Sequence, residues 1–67
     1  MTRIREERRR RGWTQVALSY HSNVSTAEIS RIESGRLRPT AGQLTRLAGA
    51  LGVRPDELLQ AGESEAE

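Results

Sequence analysis

The chain has 67 residues, so it forms one small domain, and folding should bury about 60% of the surface that the unfolded chain exposes. Cysteine and phenylalanine are absent, which excludes disulfides and thiolate metal sites and leaves an aliphatic core. No apolar run is long enough to span a membrane and no signal peptide opens the sequence, so we expect a soluble cytoplasmic protein.

The positive charge is carried entirely by arginine. All eleven cations are arginines, and three of the nine acids lie within residues 63–67, so the rest of the chain has a net charge of about +5. The planar guanidinium binds phosphate and guanine through paired hydrogen bonds, which favours a nucleic-acid partner. An arginine bias in a GC-rich genome explains the same composition equally well.

The spacing of apolar residues and helix caps predicts five short helices and no strands. The first helix is predicted from Thr2 to Arg11, ending at Gly12. On a helical wheel, Arg8 and Arg11 share a face with Ile4, the only large apolar residue within this helix. Because an arginine that faces a core is costly to bury alone, it needs a carboxylate partner.

The second and third helices are separated by a tight turn. The second helix begins after the N-cap residue Thr14, runs to about Ser22 and directs Leu18 inward. Asn23 follows, and asparagine tolerates the left-handed conformation that a tight turn needs.

The third helix opens with a predicted capping box, in which Ser25 caps the helix and Glu28 reaches back. Ile29 and Ile32 face inward, and the helix ends near Ser34. The third helix is therefore placed at about residues 25–34; it is the segment called the recognition helix below.

A loop with two cations, Arg36 to Pro39, leads to the fourth helix, which opens with a capping box of Thr40 and Gln43 and ends at Gly52. Its apolar residues recur at i, i+3, i+4 and i+7, and they are Leu44, Leu47, Ala48 and Leu51.

The fifth helix is predicted from Pro55 to Gly62, with Asp56 and Glu57 in its first turn. We therefore assign the domain to residues 1–62. Residues 63–67 are predicted to be a disordered acidic tail.

The segment Thr14–Gly35 has the features of two short helices that cross steeply. Ser19 is small where the two backbones approach, Asn23 suits the turn, and Val24 with the two isoleucines of the third helix fills the core. This combination predicts a helix-turn-helix that reads DNA.

One motif is specific enough to indicate a family. The heptapeptide Ile29–Gly35 (ISRIESG) follows Thr14-Gln15 at a separation of fourteen residues. The other positions of the same pattern are Arg8, Gly12-Trp13, Leu18, Val24-Ser25, Pro39, Leu47–Val53, Pro55 and Leu58-Leu59. On these residues the chain resembles the lambda-repressor-like (Cro and XRE) helix-turn-helix regulators, without a gap from Arg3 to about Gln60. It departs from that family at Asn23, where glycine is usual, and at Glu7, where leucine is frequent.

The resemblance implies an all-α, five-helix domain whose second and third helices form the helix-turn-helix. It implies base contacts from the positions of Thr26, Ala27 and Arg31, with Ser30 on the same exposed face. Arg31 fits O6 and N7 of guanine, and Ala27 offers a methyl group to thymine. A solvent-exposed or phosphate-bound Arg31, and an Ala27 that merely favours the helix, are the alternatives.

Phosphate contacts are expected where the second helix begins and around the loop after the third. The resemblance assigns Gln15 a bond to a backbone phosphate. A capping role is sufficient for Thr14 and Thr40 without DNA, and the loop arginines could serve only for solubility. The residues predicted to bind phosphate are Thr14, Gln15, Ser34, Arg36, Arg38 and Thr40.

The resemblance also pairs Glu33 with Arg8 in an internal salt bridge and places a homodimer contact near Leu59 on the fifth helix. Trp13 is expected to pack over the core, with stacking on nucleic acid as the less favoured alternative. His21 has no second ligand in the sequence, so neither a metal nor a cofactor is expected.

We therefore expect a transcriptional regulator, in the first instance a repressor, that binds a palindromic operator in double-stranded DNA as a homodimer associated with the nucleoid. The alternative is a helix-turn-helix protein-interaction module or an antitoxin-type protein that binds a protein partner. Arg31, Arg36 and Arg38 argue against that alternative. No enzyme is indicated, because the sequence has no cysteine, no second histidine and no glycine-rich phosphate loop.

Overall fold

Four α-helices and one 3-10 helix make up the regular structure of residues 2–59, the part of the chain that the computed structural model describes. The α-helices are α1 (Thr2–Arg10), α2 (Gln15–Ser22), α3 (Thr26–Glu33) and α4 (Ala41–Leu51), and the 3-10 helix is Pro55–Leu59. The all-α class is confirmed, but the count of five helices is not, because the last predicted helix is a short 3-10 helix within the described residues. The predicted end of that element at Gly62 and the predicted acidic tail, 63–67, lie outside the described residues.

The 3-10 helix is explained by the contacts at its start. The Glu57 amide donates to the Arg54 carbonyl (2.9 Å), and the Arg54 amide donates to Glu57 Oε1 (2.9 Å). These bonds join residues three apart, which is the spacing of a 3-10 helix and suits a short connection. The single tight turn is sufficient to bring Leu58 fully into the core.

The two predicted capping boxes differ. In α4, the Gln43 amide donates to Thr40 Oγ1 (3.1 Å) and the Thr40 amide donates to Gln43 Oε1 (3.0 Å), so this box is complete. In α3, the Glu28 amide donates to Ser25 Oγ (3.1 Å), but Glu28 Oε1 accepts from the Ser25 hydroxyl (3.3 Å). The Ser25 cap is therefore present, but the Glu28 carboxylate accepts from the Ser25 hydroxyl, whereas in a complete capping box it accepts from the Ser25 backbone amide.

The core is aliphatic, as the composition predicted. α1 contributes a single large apolar side chain, Ile4, so α1 depends on other contacts to hold its place. Trp13 is half-buried and packs against the edge of the core. No helix within residues 2–59 is both long and apolar enough to cross a membrane. The buried apolar residues are Ile4, Leu18, Val24, Ile29, Ile32, Leu47, Ala48, Leu51 and Leu58.

Candidate nucleic-acid interface

The turn between α2 and α3 is tight and internally bonded. Asn23 has φ 61° and ψ 28°, the left-handed conformation predicted for it, and its amide donates to the Ser19 carbonyl (2.9 Å). The Val24 amide donates to the buried hydroxyl oxygen of Ser22 (3.2 Å), and the Val24 side chain enters the core. These contacts set the angle at which α3 leaves α2.

α3 has one face in the core and one face in solvent. Ile29 and Ile32 are fully buried, so the opposite side of the helix is turned away from the domain. Thr26, in the first turn, is half-buried. The residues predicted to read bases thus lie on or beside one open surface; those that are exposed are Ala27, Ser30 and Arg31.

The loop that follows α3 is anchored to the helix by one carbonyl. The Arg31 carbonyl accepts from Ser34 Oγ (3.0 Å), the Arg36 amide (2.8 Å) and the Leu37 amide (3.2 Å). Leu37 is half-buried and packs against the core. Because Leu37 is held inward, Arg36 and Arg38 on either side of it are exposed.

This surface is positively charged. Among residues 2–59, no carboxylate lies within 4.0 Å of the guanidinium of Arg31 or Arg36. Of the two acids of α3, Glu33 is buried and paired with Arg8, and Glu28, in the first turn, is half-buried and accepts from the Ser25 hydroxyl. The open face of α3 and its loop can therefore attract an anion.

The start of α2 lies next to the end of α3. Thr14 is exposed and caps α2 by accepting from the Ala17 amide (3.0 Å). Gln15 is half-buried, and its Nε2 donates to Glu33 Oε1 (3.1 Å). An amide nitrogen carries two hydrogens, so this bond orients the group and leaves one donor for another partner.

We call one group of polar side chains the Glu33 cluster; it consists of Glu33, Arg8, Arg5 and Gln15. Arg8 donates from Nε to Glu33 Oε2 (2.7 Å), from Nη2 to Glu33 Oε1 (3.0 Å) and from Nη1 to the Trp13 carbonyl (2.8 Å). The side chain of Glu33 is 0% exposed and that of Arg8 is 11% exposed. The forked pair therefore joins α1 to α3 inside the domain.

The Glu33 carboxylate is held in its charged form. Burial acts to raise its pKa, but hydrogen bonds from Arg8 and Gln15, together with the charges of Arg8 and Arg5, outweigh burial and lower the pKa. The hydrogen bond to Glu33 correspondingly raises the pKa of the Arg8 guanidinium.

A second buried carboxylate, Glu7, lies on the other flank of α1; its spacing from Arg11 predicts an i,i+4 pair, but its burial was not predicted. Glu7 is 5% exposed; Arg11 Nη1 is 2.9 Å from its Oε1, while Arg10 Nη1 (3.2 Å) and Arg3 Nη2 (3.6 Å) lie near its Oε2. Arg11 also donates to the Leu51 carbonyl at the end of α4. We call Glu7 and these three arginines the Glu7 cluster.

The hydrogen bond from Arg11 holds the pKa of Glu7 below its ordinary value, against the effect of burial. The sequence indicates the pairing of Glu7 with Arg11, because the two residues are four positions apart, but it does not indicate that Glu7 is buried. The carboxylate partner of the inward-facing Arg11, which directly follows α1, is therefore Glu7, four residues earlier.

The aromatic residues form a small group beside α2. The indole of Trp13 stacks on the His21 ring (centroids 4.3 Å apart, planes at 18°), and Tyr20 meets His21 edge-on (5.2 Å, 79°). One face of Trp13 is thus covered by protein. Leu59 is exposed on the 3-10 helix, where a dimer contact was predicted. Within residues 2–59, no three His, Asp or Glu side chains lie close enough to hold a metal ion.

The chain is similar to known proteins over most of its length. A family model described as a helix-turn-helix domain matches residues 2–61. The immunity repressor protein of Bacillus phage phi105 is 38% identical over 52 residues, which cover 78% of this chain and 36% of the phage protein. The chain thus aligns with little more than a third of that relative's length. No solved structure matches the chain.

Proposed function

The chain belongs to the helix-turn-helix domain family, in its lambda-repressor-like form, and we propose that it binds double-stranded DNA as a transcriptional regulator. The observation that carries this proposal is the open face of α3. Arg31 on that face and Arg36 in the adjoining loop are exposed, with no carboxylate close to either among the described residues. Such a surface suits the phosphates and base edges of DNA better than an apolar protein partner.

In the proposed complex, α3 enters the major groove with its outer face toward the bases. Arg31 donates two hydrogen bonds to O6 and N7 of a guanine, and the methyl group of Ala27 contacts a thymine. Thr26 and Ser30 border these two residues and serve as the further base contacts.

The phosphate contacts in this proposal surround the base-reading face. At one end, Thr14 and Gln15 begin α2, where helix geometry favours an anion. At the other end, the loop after α3 is held by hydrogen bonds to the Arg31 carbonyl, which limits the entropy lost when the loop binds. The residues proposed there are Ser34, Arg36, Arg38 and Thr40.

We further propose that the regulator acts as a homodimer on a palindromic operator and represses transcription. Leu59 is exposed and is our candidate for the dimer contact. A two-fold dimer would place its recognition helices about 34 Å apart, one turn of DNA. The name of the phage relative, an immunity repressor, supports repression over activation.

The first experiment measures binding of the protein to a fluorescent duplex of random sequence by anisotropy over a range of NaCl concentrations. We expect weak binding whose logarithmic affinity falls by about 0.9 per logarithmic unit of salt for each phosphate contacted. Absence of binding, or binding that salt does not weaken, would favour the protein-interaction alternative.

A second experiment tests the base-reading assignment by selecting bound sequences from a random duplex library. Arg31→Ala should lose a preference for guanine at one position while preferences at other positions persist. Arg46→Ala removes the same charge from an exposed site on α4 and serves as the matched control. An unchanged guanine preference in Arg31→Ala would remove Arg31 from the set of base-reading residues.

A further inference from the structure

The Glu33 cluster contains two arginines and only one carboxylate, so it has a net positive charge. Arg8 alone neutralises Glu33, through two bonds of 2.7 and 3.0 Å, and its third bond goes to the Trp13 carbonyl. Arg8 therefore makes all three of these bonds inside the domain, and its side chain is only 11% exposed. Arg5, the second arginine of the cluster, carries the surplus charge.

Arg5 is held loosely. Its Nε lies 3.6 Å from Glu33 Oε1, which is longer than a hydrogen bond between these atoms. That oxygen already accepts from Arg8 Nη2 and Gln15 Nε2, so its two lone pairs are in use. The Arg5 side chain is 41% exposed. The guanidinium can thus leave Glu33 at little cost, because its contact is long, its own side chain is partly exposed, and Arg8 stays on the carboxylate.

Arg5 and Gln15 lie next to each other because both are drawn to the same oxygen of Glu33. Together they offer a guanidinium fork and a spare amide N–H on one side of the carboxylate. A phosphate has several acceptor oxygens and can take both kinds of donor at once.

We propose that Arg5 binds a DNA backbone phosphate jointly with Gln15, so that α1 contributes directly to the DNA-binding surface. This inference rests on the DNA binding proposed above and adds a residue that the sequence did not single out. When DNA binds, Arg5 turns its fork from Glu33 to the phosphate. Glu33 keeps Arg8 as its partner, so the exchange leaves no buried charge unpaired.

The opposite flank of α1 offers a matched control. Arg10 is also exposed and also lies beside a buried carboxylate, but that carboxylate is Glu7 and the cluster is joined to the end of α4. Arg10→Gln and Arg5→Gln therefore remove the same charge from the same helix on two different sides.

The test measures the affinity of each variant for a fluorescent random-sequence duplex as a function of NaCl concentration. Arg5→Gln should reduce the steepness of the salt dependence by about 0.9, the value of one phosphate contact. Arg5→Lys, which retains the charge, and Arg10→Gln should keep the steepness of the unsubstituted protein. A parent-like salt dependence in Arg5→Gln would overturn the role of Arg5.

A second measurement uses the unsubstituted protein and does not depend on how well a variant folds. On addition of duplex, the Nε–H resonance of Arg5 should shift and that of Arg10 should not; equal shifts, or none at Arg5, would contradict the proposal. Absence of salt-dependent binding by the unsubstituted protein would overturn the proposed function itself, which is a separate result from a failure confined to Arg5.

Discussion

Glu33 and Glu7 are both buried carboxylates that contact arginines in or directly after α1. Their clusters differ in the helices that they connect. Glu33 is bonded to Arg8, 25 residues away, and the cluster joins α1, α2 and α3. Glu7 is bonded mainly to residues within four positions on its own helix, and only Arg11 extends the cluster to α4.

The arginines that are hydrogen-bonded to the two carboxylates also differ in their access to water. Arg8 is 11% exposed, whereas the side chains of Arg11 and Arg10 are 30% and 72% exposed. If its partner is removed, Arg8 stays in a dry environment, while Arg10 and Arg11 can be hydrated again. The same residue types therefore form two different contacts. Loss of the Arg8–Glu33 pair, which holds α3 to α1, should cost much stability, whereas loss of a pair in the Glu7 cluster should cost less.

The largest effect should come from breaking the Glu33 cluster. Glu33→Ala leaves Arg8 buried without its carboxylate, and Arg8→Ala leaves Glu33 buried with only the long contact from Arg5. Either change should lower the free energy of unfolding by about 3–5 kcal/mol, which is a large part of the stability of a small domain. Urea unfolding followed by far-ultraviolet circular dichroism measures the loss.

The double variant Arg8→Met/Glu33→Leu is the control for this prediction. It removes both charges and fills the space with apolar atoms, so much of the lost stability should return. Near-parental stability of Glu33→Ala would show that the Arg8–Glu33 pair contributes little to the stability of the domain.

An intermediate effect is expected in the Glu7 cluster. Glu7→Ala removes the charged acceptor of Arg11, but Arg11 keeps its bonds to the Glu7 and Leu51 carbonyls. We expect the free energy of unfolding to fall by about 1.5–3 kcal/mol. Glu6→Ala, at a more exposed site on the same helix, should change it by about 0.5 kcal/mol or less. A loss in Glu7→Ala as large as that in Glu33→Ala would erase the distinction between the clusters.

Acid should weaken both clusters. The pKa of each carboxyl is lowered in the folded domain from an ordinary value of 4.5, so the unfolded chain binds protons first as the pH falls. The stability from each group is complete well above pH 4.5 and is lost as the pH falls through 4.5 toward the folded-state pKa. Urea unfolding at a series of pH values should show this decline.

In Glu7→Gln one of the two groups cannot take up a proton, so acidification should cost this variant less stability than it costs the parent. Identical pH profiles for the parent and Glu7→Gln would mean that Glu7 does not contribute to acid unfolding.

A smaller effect on stability than in Glu33→Ala or Glu7→Ala is expected from Gln15→Ala, which removes one hydrogen bond from the Glu33 cluster and leaves Arg8 in place. The free energy of unfolding should fall by about 0.5–1.5 kcal/mol. Under the proposed function, affinity for duplex DNA should nevertheless weaken and its salt dependence should become less steep. In Arg10→Gln, from the other cluster, DNA binding should be unchanged; equal losses of affinity in both variants would mean that the two clusters do not differ in function.

The helix boundaries and the turn could be predicted from the amino-acid sequence because they depend on bonds between close neighbours. Thr14 caps α2 through an amide three residues away, Thr40 does the same for α4, and Asn23 accepts the left-handed turn through its own backbone preference. The apolar spacing of α4 likewise identified its buried face. For Arg8, the helical wheel indicated an inward direction, and the family resemblance named Glu33, which the structure shows in contact with it.

The burial of Glu7, the position of Arg5 beside Gln15 and the 3-10 form of the last helix could not be predicted in this way. Each depends on which distant elements meet: the end of α4 covers Glu7, the Glu33 carboxylate brings Arg5 and Gln15 together, and the core accepts Leu58 from a single tight turn. A carboxylate, an arginine or a leucine has the same local preferences in either setting. Its environment is set by the packing of the whole domain, because desolvation and charge pairing act between residues far apart in the chain.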